Sequence, residues 1–178
     1  MKNNPVVIIN GDPKSTFNEI LIKTLKKKVF KQFKFPIIII CSKNLFIHEL
    51  KKFKTKLNFQ NFDAKDILNN NNIYIFDIPL DYKNLSLNKK NAYIKKSFDM
   101  GLNLLKKNKS MALINGPISK TTFLKGKYKG ITEFLAFKTR STNEVMLIFN
   151  KELSVSPITT HIPINEVTQK IKKKTIIK

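Results

Sequence analysis

Short apolar runs alternate with segments of helical periodicity along most of this chain. The runs are rich in isoleucine and valine and are not polar at alternate positions, which is typical of strands buried on both faces. They comprise residues 6–9, 37–40, 73–76, 111–114, 145–149 and 155–158. This alternation predicts an α/β fold with a mostly parallel sheet and helices on both faces.

The segments between these runs predict amphipathic helices at residues 17–30, 44–53 and 87–107. In the first of them, one apolar face is predicted to carry Ile20, Leu21, Leu25 and Val29, with lysines opposite. Residues 57–72 have weak periodicity and end in an asparagine run, so a short strand or irregular segment and then a turn are expected there. A last helix is predicted from Asn165, acting as its N-cap, and the chain after it resembles a shortened element.

The net charge of +22 raises the question of a nucleic-acid partner. Arg140 is the only arginine, although the guanidinium group suits phosphate and guanine best. The lysines are scattered over nearly every segment and form no single stripe. We therefore predict no specific nucleic-acid partner, only salt-sensitive association with polyanions.

Composition also bears on the location of the protein. The apolar runs are too short to cross a bilayer, and the first residues lack the long apolar region of a signal peptide. Cys41 is the only cysteine and ends a predicted buried strand, where an inert thiol is common. These features predict a cytoplasmic protein without a membrane partner.

Two turns follow predicted strands at the edge where α/β proteins bind ligands. The first contains Gly11, Asp12 and Pro13, and the favoured interpretation is a turn that Asp12 caps. The second contains Asn115, Gly116 and Pro117, followed by hydroxyl side chains and Lys120. A plain turn and a phosphate-contacting loop remain equally open for this second segment, which is not a P-loop.

Two further segments carry candidate chemistry. Gly130 precedes a predicted helix start at which Thr132 is the N-cap candidate and Glu133 faces the positive end of the dipole. His161 follows two threonines at the end of a predicted strand, and from the residues alone a satisfied polar role is favoured over a metal ligand. His48 is predicted to lie on the surface without a partner.

Residues 115–120, 130–134 and 159–163, taken in this order and at this separation, resemble the amino-terminal half of the 4-hydroxythreonine-4-phosphate dehydrogenase family of pyridoxal phosphate biosynthesis. Gly11, Asp12 and Pro13, with Glu19, resemble the amino-terminal motif of that family. The resemblance implies a truncated or split protein with a fold like that of isocitrate and isopropylmalate dehydrogenases. Residues 1–120 would form part of a first α/β domain, and residues 121–178 would begin a second domain for dimerisation and metal binding.

The resemblance also implies the chemistry. The family oxidises a phosphorylated hydroxy-amino acid with NAD and then decarboxylates the product, with a divalent metal (Zn, Mg or Co) polarising the oxygen. The implied partners are a phosphorylated small molecule and either a second copy, as a homodimer, or a complementing carboxyl-terminal half. The pattern identifies neither catalytic nor NAD-binding residues in this chain.

Site residues are implied position by position. His161 matches a metal-binding histidine, Thr132 matches a substrate-binding threonine, and Lys120 is a further substrate contact. Ile131 stands where the family pattern has a substrate-binding histidine, so a hydrogen-bonding group is replaced by a hydrocarbon. Because one histidine cannot hold a catalytic metal ion, we expect little activity from this chain alone. A degenerate non-catalytic relative and a basic nucleic-acid-binding protein are the alternatives.

Overall fold

A computed structural model describes residues 4–27, 33–63, 68–107, 112–142 and 144–176. The chain divides into two compact units, Met1–Phe123 and Leu124–Lys178. The predicted domain boundary at residue 120 stays a prediction. Within the described ranges, no helix combines the length and apolar character that a membrane crossing requires.

The first unit contains a five-stranded parallel sheet. Its strands are β1 (Val6–Ile9), β2 (Ile37–Cys41), β3 (Gln60–Asn61), β4 (Ile73–Asp77) and β5 (Ala112–Asn115). They lie in the order β3, β4, β2, β1, β5, and every neighbouring pair is parallel. The predicted α/β fold class is therefore confirmed, and the isoleucine-rich β2 is buried throughout its length.

Three helices cover this sheet: α1 (Phe17–Lys26), α2 (Lys43–Lys52) and α3 (Leu87–Lys106). The side chains of α1 and α2 form one buried cluster with a single sheet face, which includes Ile8, Leu21, Ile22, Leu25, Ile37, Ile39, Cys41, Phe46, Leu50, Ile73 and Ile75. The opposite face meets α3, where the small Gly101 admits the side chains of Ile9 and Leu113. Ser42 and Ser86 are the N-caps of α2 and α3, and each hydroxyl accepts a hydrogen bond from a backbone amide of the first turn.

The structure corrects two details of the predicted helix at residues 17–30. Ile20, which was predicted to face the core, is 56% exposed, whereas Asn18 and Ile22 are buried beside Leu21 and Leu25. Val29 lies outside the described residues. The assignment of Ile20 was wrong because the buried stripe of α1 is rotated toward Asn18 and Ile22.

The second unit contains α4 (Ile131–Thr139), β6 (Ile148–Phe149), β7 (Ser154–Val155), α5 (Val167–Lys170) and α6 (Lys173–Ile176). The predicted buried strands at 145–149 and 155–158 are wrong, since β6 and β7 form a short, exposed antiparallel pair. Asn165 is not an N-cap, because it lies inside a 3-10 turn (Ile164–Glu166) that precedes α5.

Candidate functional site

The carboxyl ends of β1 and β5 meet where the strand order reverses. In the sheet, β2 lies on one side of β1, and β5 lies on the other side of β1. A reversal of this kind leaves a crevice between the two strands, which is the usual ligand position in open α/β sheets. The structure therefore brings together the two turns that sequence analysis singled out after these strands.

These two turns are joined by backbone hydrogen bonds. The Asp12 amide donates to the Pro117 carbonyl at 2.8 Å, and the Gly116 amide donates to the Ile9 carbonyl at 2.7 Å. Gly11 has φ of 71°, which an L-residue with a side chain rarely adopts. A Cβ atom at Gly116 would lie only 2.4 Å from the Asn10 carbonyl oxygen. Because the contact is this close, the floor of the crevice is filled by backbone.

Asp12 ties this junction to a third element. One carboxylate oxygen accepts a hydrogen bond from the Lys14 amide at 3.0 Å, which is the capping role that the sequence predicted. The other oxygen is 2.8 Å from Lys90 Nζ at the start of α3, and both side chains are about one-sixth exposed (16% and 17%). Lys90 was not predicted, because nothing in the pattern of a lysine-rich helix distinguishes one lysine from its neighbours.

Buried amide side chains lie beneath the same junction. Asn10 and Asn18 are 2% and 3% exposed, and Asn10 Nδ2 donates to Asn18 Oδ1. Within the described residues, Asn10 Oδ1, Asn91 Oδ1 and Thr122 Oγ1 are buried and have no hydrogen-bond partner. Buried acceptors in this situation are commonly satisfied by an ordered water. The polar Asn10 directly follows the apolar strand β1, and this position could have indicated a residue of the site.

The hydroxyl-rich segment after Pro117 forms a π-helical turn, Lys120–Leu124. Ser119 Oγ accepts a hydrogen bond from the Thr122 amide at 3.2 Å and lies 3.1 Å from Thr121 Oγ1. Short π-helical segments are frequent at functional sites. Because its hydroxyl is hydrogen-bonded within this turn, Ser119 has a structural role. Lys120 is exposed to solvent. Whether Lys120 contacts a phosphate stays open.

In the second unit, α4 presents Thr132 and Glu133 to a cavity of about 540 Å³. Its lining consists of Thr132, Glu133, Glu144, Val145, Met146, Ser156, Pro157, Ile158, Thr160 and Ile176. Thr132 is not the N-cap, as the sequence had suggested, because Gly130 occupies that position and Thr132 is the second helical residue. Ile131 is the first residue of α4 and is half-buried.

His161 directly follows Thr160, one of the residues lining this cavity. It is exposed and has φ of 58°, and its carbonyl accepts a hydrogen bond from Lys129 Nζ at 3.2 Å. It does not end a strand, since β7 stops at Val155. Within the described ranges, no group of three or more His, Cys, Asp and Glu side chains converges. These residues alone therefore do not fit a divalent metal ion.

Two other predicted positions have clear outcomes. Cys41 is fully buried, and burial raises the pKa of its thiol well above the ordinary value, in agreement with an inert role. The prediction that His48 has no partner is wrong. Its Nδ1 is 3.7 Å from the Glu49 carboxylate and its ring centroid is 5.3 Å from that of Tyr82, although its side chain is 53% exposed.

The parallel sheet, its reversal point and the joined glycine turns define an α/β protein of the class that places ligands at the carboxyl edge of the sheet. A sequence model of the family "Pyridoxal phosphate biosynthetic protein PdxA" matches residues 32–178. The chain belongs to this family, which confirms the resemblance stated above.

Curated relatives agree with this assignment. The chain is 26% identical to 4-hydroxythreonine-4-phosphate dehydrogenase of Aquifex aeolicus over 184 aligned residues, which cover 99% of this chain and 55% of the relative. It is 29% identical to the enzyme of that name from a Sulfurihydrogenibium species, over 97% of this chain and 54% of the relative. The chain thus spans about half the length of the curated relatives it matches.

Solved structures show the same fold. The 4-hydroxythreonine-4-phosphate dehydrogenase of Klebsiella pneumoniae superposes with a TM-score of 0.80 at 23% identity, over 98% of this chain and 56% of that one. The corresponding structure from Burkholderia phymatum gives a TM-score of 0.80 at 21% identity, over 98% and 55%. At these identities the likeness concerns the fold alone.

Proposed function

We propose that this chain forms the amino-terminal half of an NAD-dependent 4-hydroxythreonine-4-phosphate dehydrogenase. The reaction would transfer a hydride from the secondary alcohol carbon of a phosphorylated hydroxy-amino acid to NAD, and the hydroxyl proton would be released. The resulting 3-keto acid would then lose carbon dioxide, as a step in pyridoxal 5'-phosphate biosynthesis. The observation that carries this proposal is the family match over residues 32–178.

We further propose that the cavity beside α4 holds part of the substrate. Thr132 and Thr160 line this cavity, and a neutral hydroxyl can bind either a donor or an acceptor of a polar substrate. Ile131 cannot form such a hydrogen bond, so we infer weaker or altered substrate recognition at that position. Lys120 is a proposed phosphate contact because its ammonium group is exposed to solvent.

The metal site requires residues beyond those described. His161 is one proposed ligand, and a catalytic metal needs about three protein ligands with an open position. We therefore assign no reaction step to a metal held by this chain alone. The missing ligands would come from the remainder of the family fold, and a homodimer in the cytoplasm is the proposed setting.

The test measures NADH formation from the phosphorylated hydroxy-amino acid with a divalent metal. Residues 1–178 are assayed alone and mixed with a separately produced polypeptide, namely the part of the Aquifex aeolicus relative outside the matched segment. We expect little turnover alone and clear turnover in the mixture. Thr132→Val should reduce turnover because it removes the hydroxyl at constant shape, whereas Thr168→Val on exposed α5 should not.

Ile131→His provides a second arm of this experiment. If the hydrocarbon weakens recognition, the histidine variant should lower the substrate KM of the mixture. No turnover in any mixture, together with no saturable binding of the substrate, would contradict the proposed reaction. Turnover by residues 1–178 alone would support the reaction but reject the need for a second half.

A further inference from the structure

Two consecutive residues near the start of α3 contact the loops that follow β1 and β5. Lys90 Nζ is 2.8 Å from the Asp12 carboxylate in the loop after β1. Asn91 Nδ2 donates a hydrogen bond of 2.9 Å to the Thr122 carbonyl in the π-helical turn after β5. Because consecutive side chains of a helix point about 100° apart, one turn of α3 reaches both loops.

An apolar contact attaches the same π-helical turn to α3. Phe98 follows Asn91 by seven residues and therefore lies on the same face of the helix. The Phe98 side chain is fully buried, and its ring stacks on that of Phe123 with 6.1 Å between the centroids. The stacked rings hold the turn against α3, and the hydrogen bond from Asn91 fixes how the turn is oriented there.

The contact between Asn91 and Thr122 is better suited to orientation than to stability. Asn91 Oδ1 and Thr122 Oγ1 are buried and, in the part of the chain that the structure describes, have no hydrogen-bond partner. The carboxamide cannot be reversed, because Oδ1 would then face the Thr122 carbonyl and both atoms are acceptors. Since the protein supplies only one hydrogen bond to this carboxamide, the contact adds little net stability.

The orientation of this turn determines where Lys120 is presented. Lys120 is the first residue of the turn and is exposed to solvent. Two residues later, both backbone polar groups of Thr122 are held by side chains, since its amide donates to Ser119 Oγ at 3.2 Å and its carbonyl accepts from Asn91. The backbone that carries Lys120 is therefore fixed by Asn91 from outside the turn.

We propose that Asn91 is a positioning residue that orients the π-helical turn so that Lys120 meets the phosphate group of the substrate. Asn91 itself does not touch the substrate. Lys90 holds the opposite loop through Asp12, so α3 sets the positions of both loops together. This inference rests on the proposed function, because it requires the phosphate contact proposed for Lys120.

The experiment measures phosphate binding at the turn itself. Residues 1–178 are titrated with inorganic phosphate while the backbone amide NMR shifts of residues 119–122 are followed, at about 150 mM salt to screen loose binding to scattered lysines. The variants are Asn91→Leu, Asn91→Gln, Lys120→Ala and the double variant with Asn91→Leu and Lys120→Ala. Asn103→Leu is the matched control, because Asn103 is an exposed asparagine of the same helix. Circular dichroism checks that each variant folds.

The parent chain should show saturable shifts, and Asn91→Leu should weaken phosphate binding by about fivefold or more. Asn91→Gln keeps the carboxamide donor and should bind within about threefold of the parent. Asn103→Leu should bind like the parent. Because Asn91 acts through Lys120, the double variant should bind no more weakly than Lys120→Ala alone.

Three results would overturn the proposal: no saturable shifts in the parent, an affinity that Asn91→Leu leaves unchanged, or losses that multiply in the double variant. A loss for Asn91→Gln equal to that for Asn91→Leu would also contradict the role of the donor. Turnover by the mixture described above separates this proposal from the reaction. In that assay Asn91→Leu should raise the substrate KM with little change in kcat. Asn91-dependent phosphate binding without turnover would reject only the reaction, and turnover with an unchanged KM would reject only the role of Asn91.

Discussion

Alanine in place of Gly116 tests how tightly the two loops at the sheet edge are joined. The added methyl carbon would lie 2.4 Å from the Asn10 carbonyl oxygen, 2.9 Å from the Asn10 carbonyl carbon and 2.7 Å from Phe17 Cδ1. The Asn10 backbone cannot shift easily, because its backbone amide donates to the Ile40 carbonyl and its side-chain amide donates to Asn18 Oδ1. The clash must therefore be relieved by moving backbone.

The magnitude follows from three contributions. Overpacking of a close contact, including the backbone shifts that relieve it, costs about 1–3 kcal/mol. Loss of the hydrogen bond from the Gly116 amide to Ile9 adds about 1 kcal/mol. Alanine restricts the unfolded chain and returns about 0.4–1 kcal/mol. We therefore expect Gly116→Ala to lower the free energy of unfolding by about 1–4 kcal/mol.

Gly101→Ala is the matched control in the same unit. Its added methyl would meet Ile9 Cδ1 at 2.8 Å and Leu113 Cδ1 at 3.0 Å, which are the ends of flexible side chains. Gly101 also lies inside α3, where alanine is favoured over glycine by about 0.5–1 kcal/mol. The crowding and the helical preference for alanine should nearly cancel, so Gly101→Ala should change the free energy of unfolding by no more than about 1 kcal/mol.

Urea unfolding followed by tyrosine fluorescence compares the two variants. Tyr74, Tyr82 and Tyr93 lie in the first unit, so the signal reports mainly on the sheet. The change in free energy is obtained from the midpoint and slope of each transition. If Gly116→Ala were no more destabilising than Gly101→Ala, the backbone contact at Asn10 would not constrain the junction, and our account of the filled crevice would be refuted.

Two other expectations concern buried polar groups. Lys90→Met should lower the free energy of unfolding by about 1–2 kcal/mol, because it leaves the largely buried Asp12 carboxylate without its charge partner. Adding Asp12→Asn should recover part of that loss in urea unfolding. Strictly additive losses would contradict a direct pair. Cys41 should react with a thiol reagent at least about a hundredfold more slowly in the folded chain than in denaturant. Burial shields the sulfur, and it also raises the pKa of the thiol, so that little thiolate is present at neutral pH. Similar rates in both states would show that β2 opens readily.

The parallel sheet could be predicted because its strands are buried on both faces. For β1, β2 and β4 the apolar run coincides with the strand to within a residue. The same reasoning failed at residues 145–149, where Leu147 and Phe149 are 62% and 73% exposed. In a chain so rich in isoleucine, an apolar run shows what a segment is able to bury but not whether a neighbour is available to bury it.

The candidate site was only partly predictable. The turns at Gly11 and Gly116 could be assigned to one sheet edge because parallel strands end on the same side. The pairing of Asp12 with Lys90 depends on where α3 crosses the sheet, which local sequence does not specify. The N-cap was predicted two residues too late, because Gly130 and not Thr132 is the N-cap of α4. The local preference for threonine at an N-cap lost to the extended backbone at Gly130.

The pairing of β1 with β5 has a consequence for how the chain folds during synthesis. Val6 pairs with Ala112, so the ribosome must add β2, β3, β4 and their helices before β1 acquires its second neighbour. Until then β1 has one unpaired edge, and contacts between residues so distant in sequence form slowly. The glycine turns therefore meet last, and a nascent chain would need protection from aggregation until β5 emerges.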